Sequence, residues 1–305
     1  MGECAHPMKT AREAATRLGP IGVWSFELER MTAADEGRLA QEVEALGFTA
    51  LWIPESLGSK EIFAHAGILL AATKTLIVAS GIANIWARDP VAMANGARAL
   101  QEAYADRFLC GVGVSHKPTI DARLGGGYAK PLGRMKAYLD AMDKAPYVGP
   151  NRKDPPAPRV VAALGPQMLR LAAERSLGAH PYFVPVEHTP IARKELGADP
   201  LLAVEQACTL EADPAKGREV ARRHMKRYLE LDNYANNLRR LGWGDADIAN
   251  GGSDKLVDAI VAWGGVDAVK ARVDAHRKGG ADHVCLQVLG DDLSGQLRTI
   301  AKALL

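Results

Sequence analysis

The residues able to do chemistry are scattered along this sequence rather than gathered into a recognisable catalytic set. His116 stands in the run GVSHKP, and its imidazole, with an unperturbed pKa of about 6.5, can donate or accept a proton near neutrality. Glu55 places a carboxylate in LWIPES. The cysteines are Cys4, Cys110, Cys208 and Cys285; none forms a CxxC pair, and three lie in apolar runs, as expected of buried reduced thiols. No two Cys or His have ligand spacing with a matching second pair, so no metal site is expected. No Ser-His-Asp order or nucleophile elbow is present. What remains is small and hydrogen-bonding, which suits a site that grips a cofactor and leaves the reactive atom to it.

The elements that position these residues alternate between short apolar runs and helix-period segments. GPIGVWSFE reads as a strand, followed by a helix capped by Thr32 with Leu39, Val43 and Leu46 on one face and Gly47 as its stop. FTALWIPES and TLIVASGIANIW are the second and third strands. Asp89-Pro90 then opens a helix with Met93, Ala97 and Leu100 along its apolar stripe. RFLCGVGVS is the fourth strand, 117–130 reads as a Gly-rich loop, and a helix is expected over Pro131–Lys144. PYVGPNRKDPPAPR should be an extended connection. RVVAALG, AHPYFVPV, LLAVEQAC and DHVCLQVL complete eight strands. Helices are expected at Ala215–Leu231, 253–263, 265–278 and near Leu305.

Eight strand–helix alternations with continuously apolar strands predict a parallel (β/α)₈ TIM barrel with insertions. The competing doubly wound sheet is disfavoured because no GxGxxG follows the first strand. Residues 1–17 are expected to be a tail and 18–305 one domain. The chain has 305 residues, 48% of them hydrophobic and 24% charged, enough apolar material for one large core. Its 38 basic and 36 acidic residues give a net charge of +2, which argues against a nucleic-acid partner. No apolar run approaches a membrane span, and the first twenty residues lack the apolar centre of a secretion signal, so a cytoplasmic location is expected.

A barrel carries its chemistry at the carboxyl ends of its strands. That rule selects Trp24 and Ser25, Glu55 and Ser56, Gly81 to Asn84, Ser115 and His116, Gly165 and Pro166, His180 to Tyr182, Glu205 and Gln206, and Gln287.

Three of these segments carry a family resemblance that covers the chain from about Gly19 to its end. ASGIANIWARDPVAMA, with Gly81-Ile82, Asn84, Arg88 and Pro90, resembles the third strand of the luciferase-like monooxygenase superfamily, in its deazaflavin-dependent branch. RFLCGVGVSH resembles that family's GR-x-x-LGVG segment, and AALGPQMLRLAAE its AA-x-GP segment. The resemblance implies coenzyme F420 as cofactor, with FMN as the alternative. It implies hydride transfer between the deazaflavin C5 and a small organic substrate. The alternatives are an FMN-dependent monooxygenase and a catalytically silent flavin-binding barrel. A homodimer is expected.

The resemblance also assigns residues. A non-proline cis peptide at Gly81–Ile82 would press on the back of the cofactor ring, with Ser80, Ala83, Asn84 and Ser115 beside it. Glu55 would hydrogen-bond the ring edge or a substrate hydroxyl; capping the next turn is the plainer role. The family often has an acid followed by His there, and Ser56 departs from that pattern. His116 stands where sugar-phosphate-oxidising relatives have a carboxylate and would be the proton partner, binding a backbone carbonyl being its plainer role. Gly165 and Pro166 precede a helix, and backbone N–H groups at its start would meet the cofactor's phosphate, with His180 adding contacts. Trp24, Ser56 and Tyr182 would line the substrate pocket. Arg88 would be structural, and the basic helix Arg218–Arg227 either a solvated face or an attractor for an anionic cofactor tail. Gly125-Gly126-Gly127 is either a soft hinge for a lid or a plain connection.

Overall fold

The structure, a computed structural model, describes residues 8–56, 58–150 and 156–305. Cys4 and residues 151–155 of the Pro-rich connection lie outside the described residues. In chain order the elements are α1 (Ala11–Leu18), β1 (Ile21–Trp24), α2 (Ala33–Ala45), β2 (Ala50–Ile53), α3 (Ile62–Ala72), β3 (Ile77–Ser80), β4 (Ala83–Asn84), α4 (Pro90–Ala103), β5 (Phe108–Gly113), α5 (Lys117–Leu124) and α6 (Pro131–Asp143). There follow β6 (Arg159–Val161), α7 (Pro166–Arg175), β7 (Gly178–Ala179), α8 (His188–Leu196), β8 (Leu201–Cys208), α9 (Pro214–Leu229), α10 (Asp232–Arg240), α11 (Asp245–Ile248), α12 (Asp254–Ile260), α13 (Val266–Lys278), β9 (His283–Val288) and α14 (Leu293–Leu304).

Every strand pairing is parallel, and the sheet closes on itself. The order runs β3-β2-β1-β9-β8-β7-β6-β5-β4, and β3 also pairs with β5. Strands β3 and β4 are therefore two halves of one stave, and the barrel has eight staves, as the strand–helix alternation predicts. Two cores follow from burial on both faces of the sheet. Val78, Phe108, Val161 and Val284 pack outward against the helices. Trp52, Ala79, Leu109, Val160 and Cys285 fill the interior.

The interrupted stave has a local cause. Ala79 pairs with Leu109 and Ala83 with Val112, so four steps along one strand face three along the other. That is a β-bulge, and it pushes Gly81 and Ile82 inward. The neighbouring strand makes room with glycine. A Cβ on Gly111 would overlap the Ser80 carbonyl oxygen, and one on Gly113 would meet Ile82 Cγ1 at 2.6 Å.

Three expectations need correction. The segment read as a tail contains α1, whose capping box joins Thr10 to Glu13 and whose Ala14 and Leu18 are fully buried with the barrel interior. The run read as a loop from 117 contains α5, begun at Pro118 and ended by Gly125 in the left-handed conformation. AHPYFVPV is a strand only at its start, because Pro181 and Pro185 cannot donate to a ladder.

The stretch between β8 and β9 is more than a crossover helix. Helices α9 to α12 pack around Phe183, Tyr228, Tyr234 and Leu256 as a core of their own. This insertion roofs one side of the barrel mouth.

Candidate active site

A cavity of about 690 Å³ opens at the carboxyl ends of the strands. It falls within the ~300–1,000 Å³ range of small-molecule and cofactor sites. Of the residues selected from the sequence, Trp24, Glu55, Ser56, Gly81, Ile82, Asn84, Ser115, His116, Gly165, Pro166, His180 and Tyr182 all line it. Ser80 and Ala83 do not, and neither do Ser25, Pro181, Glu205, Gln206 and Gln287. Ser80 is fully buried and its hydroxyl donates to the Gly111 carbonyl at 2.8 Å, while the Ala83 methyl points into the outer core. Both act by holding the bulge.

The peptide joining Gly81 and Ile82 is cis, where the resemblance placed it. The bulge is held from below by a charged clamp. The Glu55 carboxylate accepts the Asn84 backbone N–H at 2.7 Å and takes two hydrogen bonds from the Arg88 guanidinium. Arg88 also reaches Glu61 at 2.9 Å. Burial alone would weaken the Arg88 charge, and its hydrogen bonds with Glu55 more than offset that, so its pKa is raised. Both oxygens of Glu55 are thus engaged within the protein.

Opposite Gly81 stand two aromatic rings. A Cβ on Gly81 would meet Trp24 Nε1 at 2.5 Å and His180 Nε2 at 3.0 Å, so only glycine fits there. His180 is stacked on Trp52 with ring centroids 4.4 Å apart, and its Nδ1 donates to the Ala203 carbonyl at 2.9 Å. Burial lowers its pKa to about 4, which keeps the ring neutral. Tyr182 donates to Gln287 at 2.8 Å and is hydrogen-bonded to the Tyr228 hydroxyl at 3.0 Å. Burial raises the Tyr182 pKa well above the ordinary phenol range.

His116 sits at the start of α5 without capping it. Its Nδ1 is 3.1 Å from Asn233 Oδ1, and its ring lies against Tyr234. Burial lowers its pKa; the Asn233 contact works against that shift and the nearby Arg227 charge with it. Ser115, just before it, has a φ of 56° and offers its carbonyl to Tyr128 at 3.3 Å.

At the far end of the cavity, α7 begins with Gly165 and Pro166 and has no side-chain cap. The amide of Gln167 there is not taken by a capping side chain, and the helix dipole favours an anion. Arg170 and Arg240 line the same end; a Cβ on Gly165 would find Arg240 Nη2 3.4 Å away. Arg170 is paired with Glu195, and Arg240 with the neutral Asn237 amide at 3.1 Å.

Sequence reasoning missed Phe26, Tyr128, Arg227, Tyr228, Asn233, Tyr234 and Arg240, all of which line the cavity. Most come from α9 and α10. The signal was Tyr228 and Tyr234, two large aromatics in or just after a basic stretch read as a solvated face or an attractor for an anionic cofactor tail, not as a cavity wall. Among the described residues no group of three His, Cys, Asp or Glu is placed to hold a metal. No described helix is long and apolar enough to cross a membrane.

Known proteins are similar to this chain in sequence or in fold. The 5,10-methylenetetrahydromethanopterin reductase of Methanolobus tindarius is 25% identical over 207 residues, 60% of this chain and 63% of that protein, so the match spans less than two thirds of its length. The enzyme of the same name from Archaeoglobus fulgidus is 23% identical over 308 residues, covering 86% and 92% of the two chains. The solved structure of an F420-dependent secondary alcohol dehydrogenase, in complex with an F420-acetone adduct, superposes with a TM-score of 0.74 at 16% identity, over 92% of this chain and 97% of that one. It shares the fold. The model of the luciferase-like monooxygenase family matches residues 8–283, and the chain belongs to that family.

Proposed function

We propose that this chain is a coenzyme F420-dependent oxidoreductase acting on a small organic substrate. The observation that carries the reading is the Gly81–Ile82 bulge, projected into a cavity of about 690 Å³ whose far end carries a helix start and two arginines. A flat ring system joined to a phosphate has those two needs. Glycine at 81 lets the Trp24 and His180 rings close on the backbone of the bulge. The relatives named for F420 or methanopterin reduction support the deazaflavin over FMN.

When bound, the deazaflavin supplies a carbon that accepts or releases a hydride. The protein's own residues do the rest. The backbone at Gly81, Ile82 and Asn84 packs on the ring, held by the Glu55–Arg88 clamp. Backbone N–H groups at the start of α7, with Arg240 and Arg170, hold the phosphate. Trp24, Phe26, Tyr182 and Tyr228 wall off water from the reacting end. His116 holds or moves the proton that accompanies substrate turnover. A second copy of the chain is the expected partner, as a homodimer.

The test is equilibrium binding of coenzyme F420 and of FMN to the purified chain, followed by absorbance of the bound chromophore. Saturable F420 binding in the micromolar range or tighter, with FMN at least about tenfold weaker (about 1.4 kcal/mol), is the expected result. Preference for FMN would turn the reading to the flavin monooxygenase. Binding of neither would overturn it.

A further inference from the structure

The contact between His116 and Asn233 joins two parts of the fold. His116 follows β5, a barrel strand, whereas Asn233 lies on α10, in the insertion between β8 and β9. Both residues line the cavity. An amide oxygen can only accept a hydrogen bond, so the nitrogen facing it at 3.1 Å must carry the proton. In a neutral imidazole the other nitrogen is then bare. Nε2 has no hydrogen-bond partner among the described residues and is not among the buried unpartnered atoms. The Tyr234 ring, 5.3 Å from the imidazole centroid, limits rotation that would exchange the two nitrogens.

We propose that Asn233 is a positioning residue: by accepting the Nδ1 proton of His116 it presents Nε2 to the cavity as a bare lone pair, a site for a ligand group that brings its own O–H or N–H. His116 is then an acceptor toward the unliganded cavity. The cavity selects for ligands whose end at His116 is protic, such as alcohols and amines, over ligands that present only a carbonyl or an apolar end there. The surroundings agree with a neutral ring. The charge that acts on it is Arg227 of α9, which disfavours protonation; Tyr234 of α10 is uncharged, and Lys117, next in the chain, is paired with Asp121. The proposal rests on the reading of the cavity as the ligand site and requires no particular cofactor.

The test is ¹⁵N NMR of the histidine-labelled chain without added cofactor, in which protonated and bare ring nitrogens resonate far apart. His116 is identified by its loss in His116→Gln. The expected wild-type spectrum at neutral pH has Nδ1 protonated and Nε2 bare. Asn233→Leu should give an averaged mixture of tautomers, and Asn233→Asp should restore the Nδ1–H form and raise the His116 pKa by about one unit or more. Unchanged signals from His180, His276 and His283 show that the variants are folded. A wild-type ring protonated at Nε2, an Asn233→Leu spectrum like the wild type, or an Asn233→Asp variant without Nδ1–H each overturns the proposal. Coenzyme F420 added to the same samples tests the cofactor reading separately: absent binding with the expected tautomer would sink that reading and leave this one standing.

Discussion

Removing the imidazole of His116 separates chemistry from binding. The ring touches the cavity and two side chains of α10, Asn233 and Tyr234, and it bears no part of the bulge or of the α7 anion end. His116→Ala should bind coenzyme F420 within about threefold of wild type yet turn over some 10²–10⁴-fold more slowly, the usual range for a positioned acid or base. Stopped-flow rates with the loaded enzyme check this, and equal rates would remove His116 from the mechanism. Glu55 predicts the opposite pattern. Its carboxylate and the Arg88 guanidinium are about nine-tenths buried. Breaking such a pair leaves a buried charge short of a partner and costs about 3 kcal/mol. Glu55→Gln should therefore lower stability by that amount in urea unfolding and weaken cofactor binding as the Asn84 anchor loosens. A variant that bound cofactor poorly at unchanged stability would mean that Glu55 contacts the ligand directly instead of holding the bulge.

The bulge itself depends on its neighbouring strand. Gly111 lets the Ser80 carbonyl approach where any side chain would block it, so Gly111→Ala must break the β3–β5 register or displace the bulge. Overpacking of this kind costs about 1–3 kcal/mol and more when the obstacle is backbone. Thermal unfolding should show a loss of about 3 kcal/mol for Gly111→Ala, against little change or a slight gain for Gly133→Ala in α6, whose Cβ would meet only Lys130 Cβ at 3.9 Å. The same element shows how much of the site was legible. The run CGVG could be read as a strand, but alternate glycines facing an inward bulge are a pattern of two strands, visible only once Ala79 and Ala83 are paired with Leu109 and Val112. The periodicity of α4 and its Asp89-Pro90 start are local, and they appear where the sequence places them. The position of Asn233 against His116 is not local: 117 residues separate them, and no spacing rule connects a barrel strand to an inserted helix.

At the scale of the whole molecule, the eight-stave barrel was legible because each parallel strand is apolar on both faces, while α1 was hidden by its charged outer surface. The packed barrel, its helices and the insertion also bury histidines, which sets the pH dependence of stability. Burial lowers the pKa of His65, His180, His224 and His283 to about 4 and that of His276 to about 3. Unfolded, each returns to about 6.5. Between those values the unfolded chain binds protons that the folded chain refuses, so stability is full above pH 6.5 and falls as pH drops toward 4. Glu205 works the other way: burial raises its carboxyl to about 8, and the folded chain keeps that proton while the unfolded chain releases it until pH ~4.3. These histidines, joined by His116 and His188, outweigh Glu205 and the likewise raised Glu36, so unfolding takes up several protons, each worth about 1.4 kcal/mol per pH unit. Domain stabilities are about 5–15 kcal/mol, so the chain should unfold cooperatively near pH 5. Urea titrations at a series of pH values measure the slope directly. His276→Gln, which keeps a partner for Thr189 or Gln206, should lower it by about one proton. A flat profile from pH 7 to 5 would mean that these imidazoles reach water in the folded chain, and that the helix–barrel packing around them is not as closed as described.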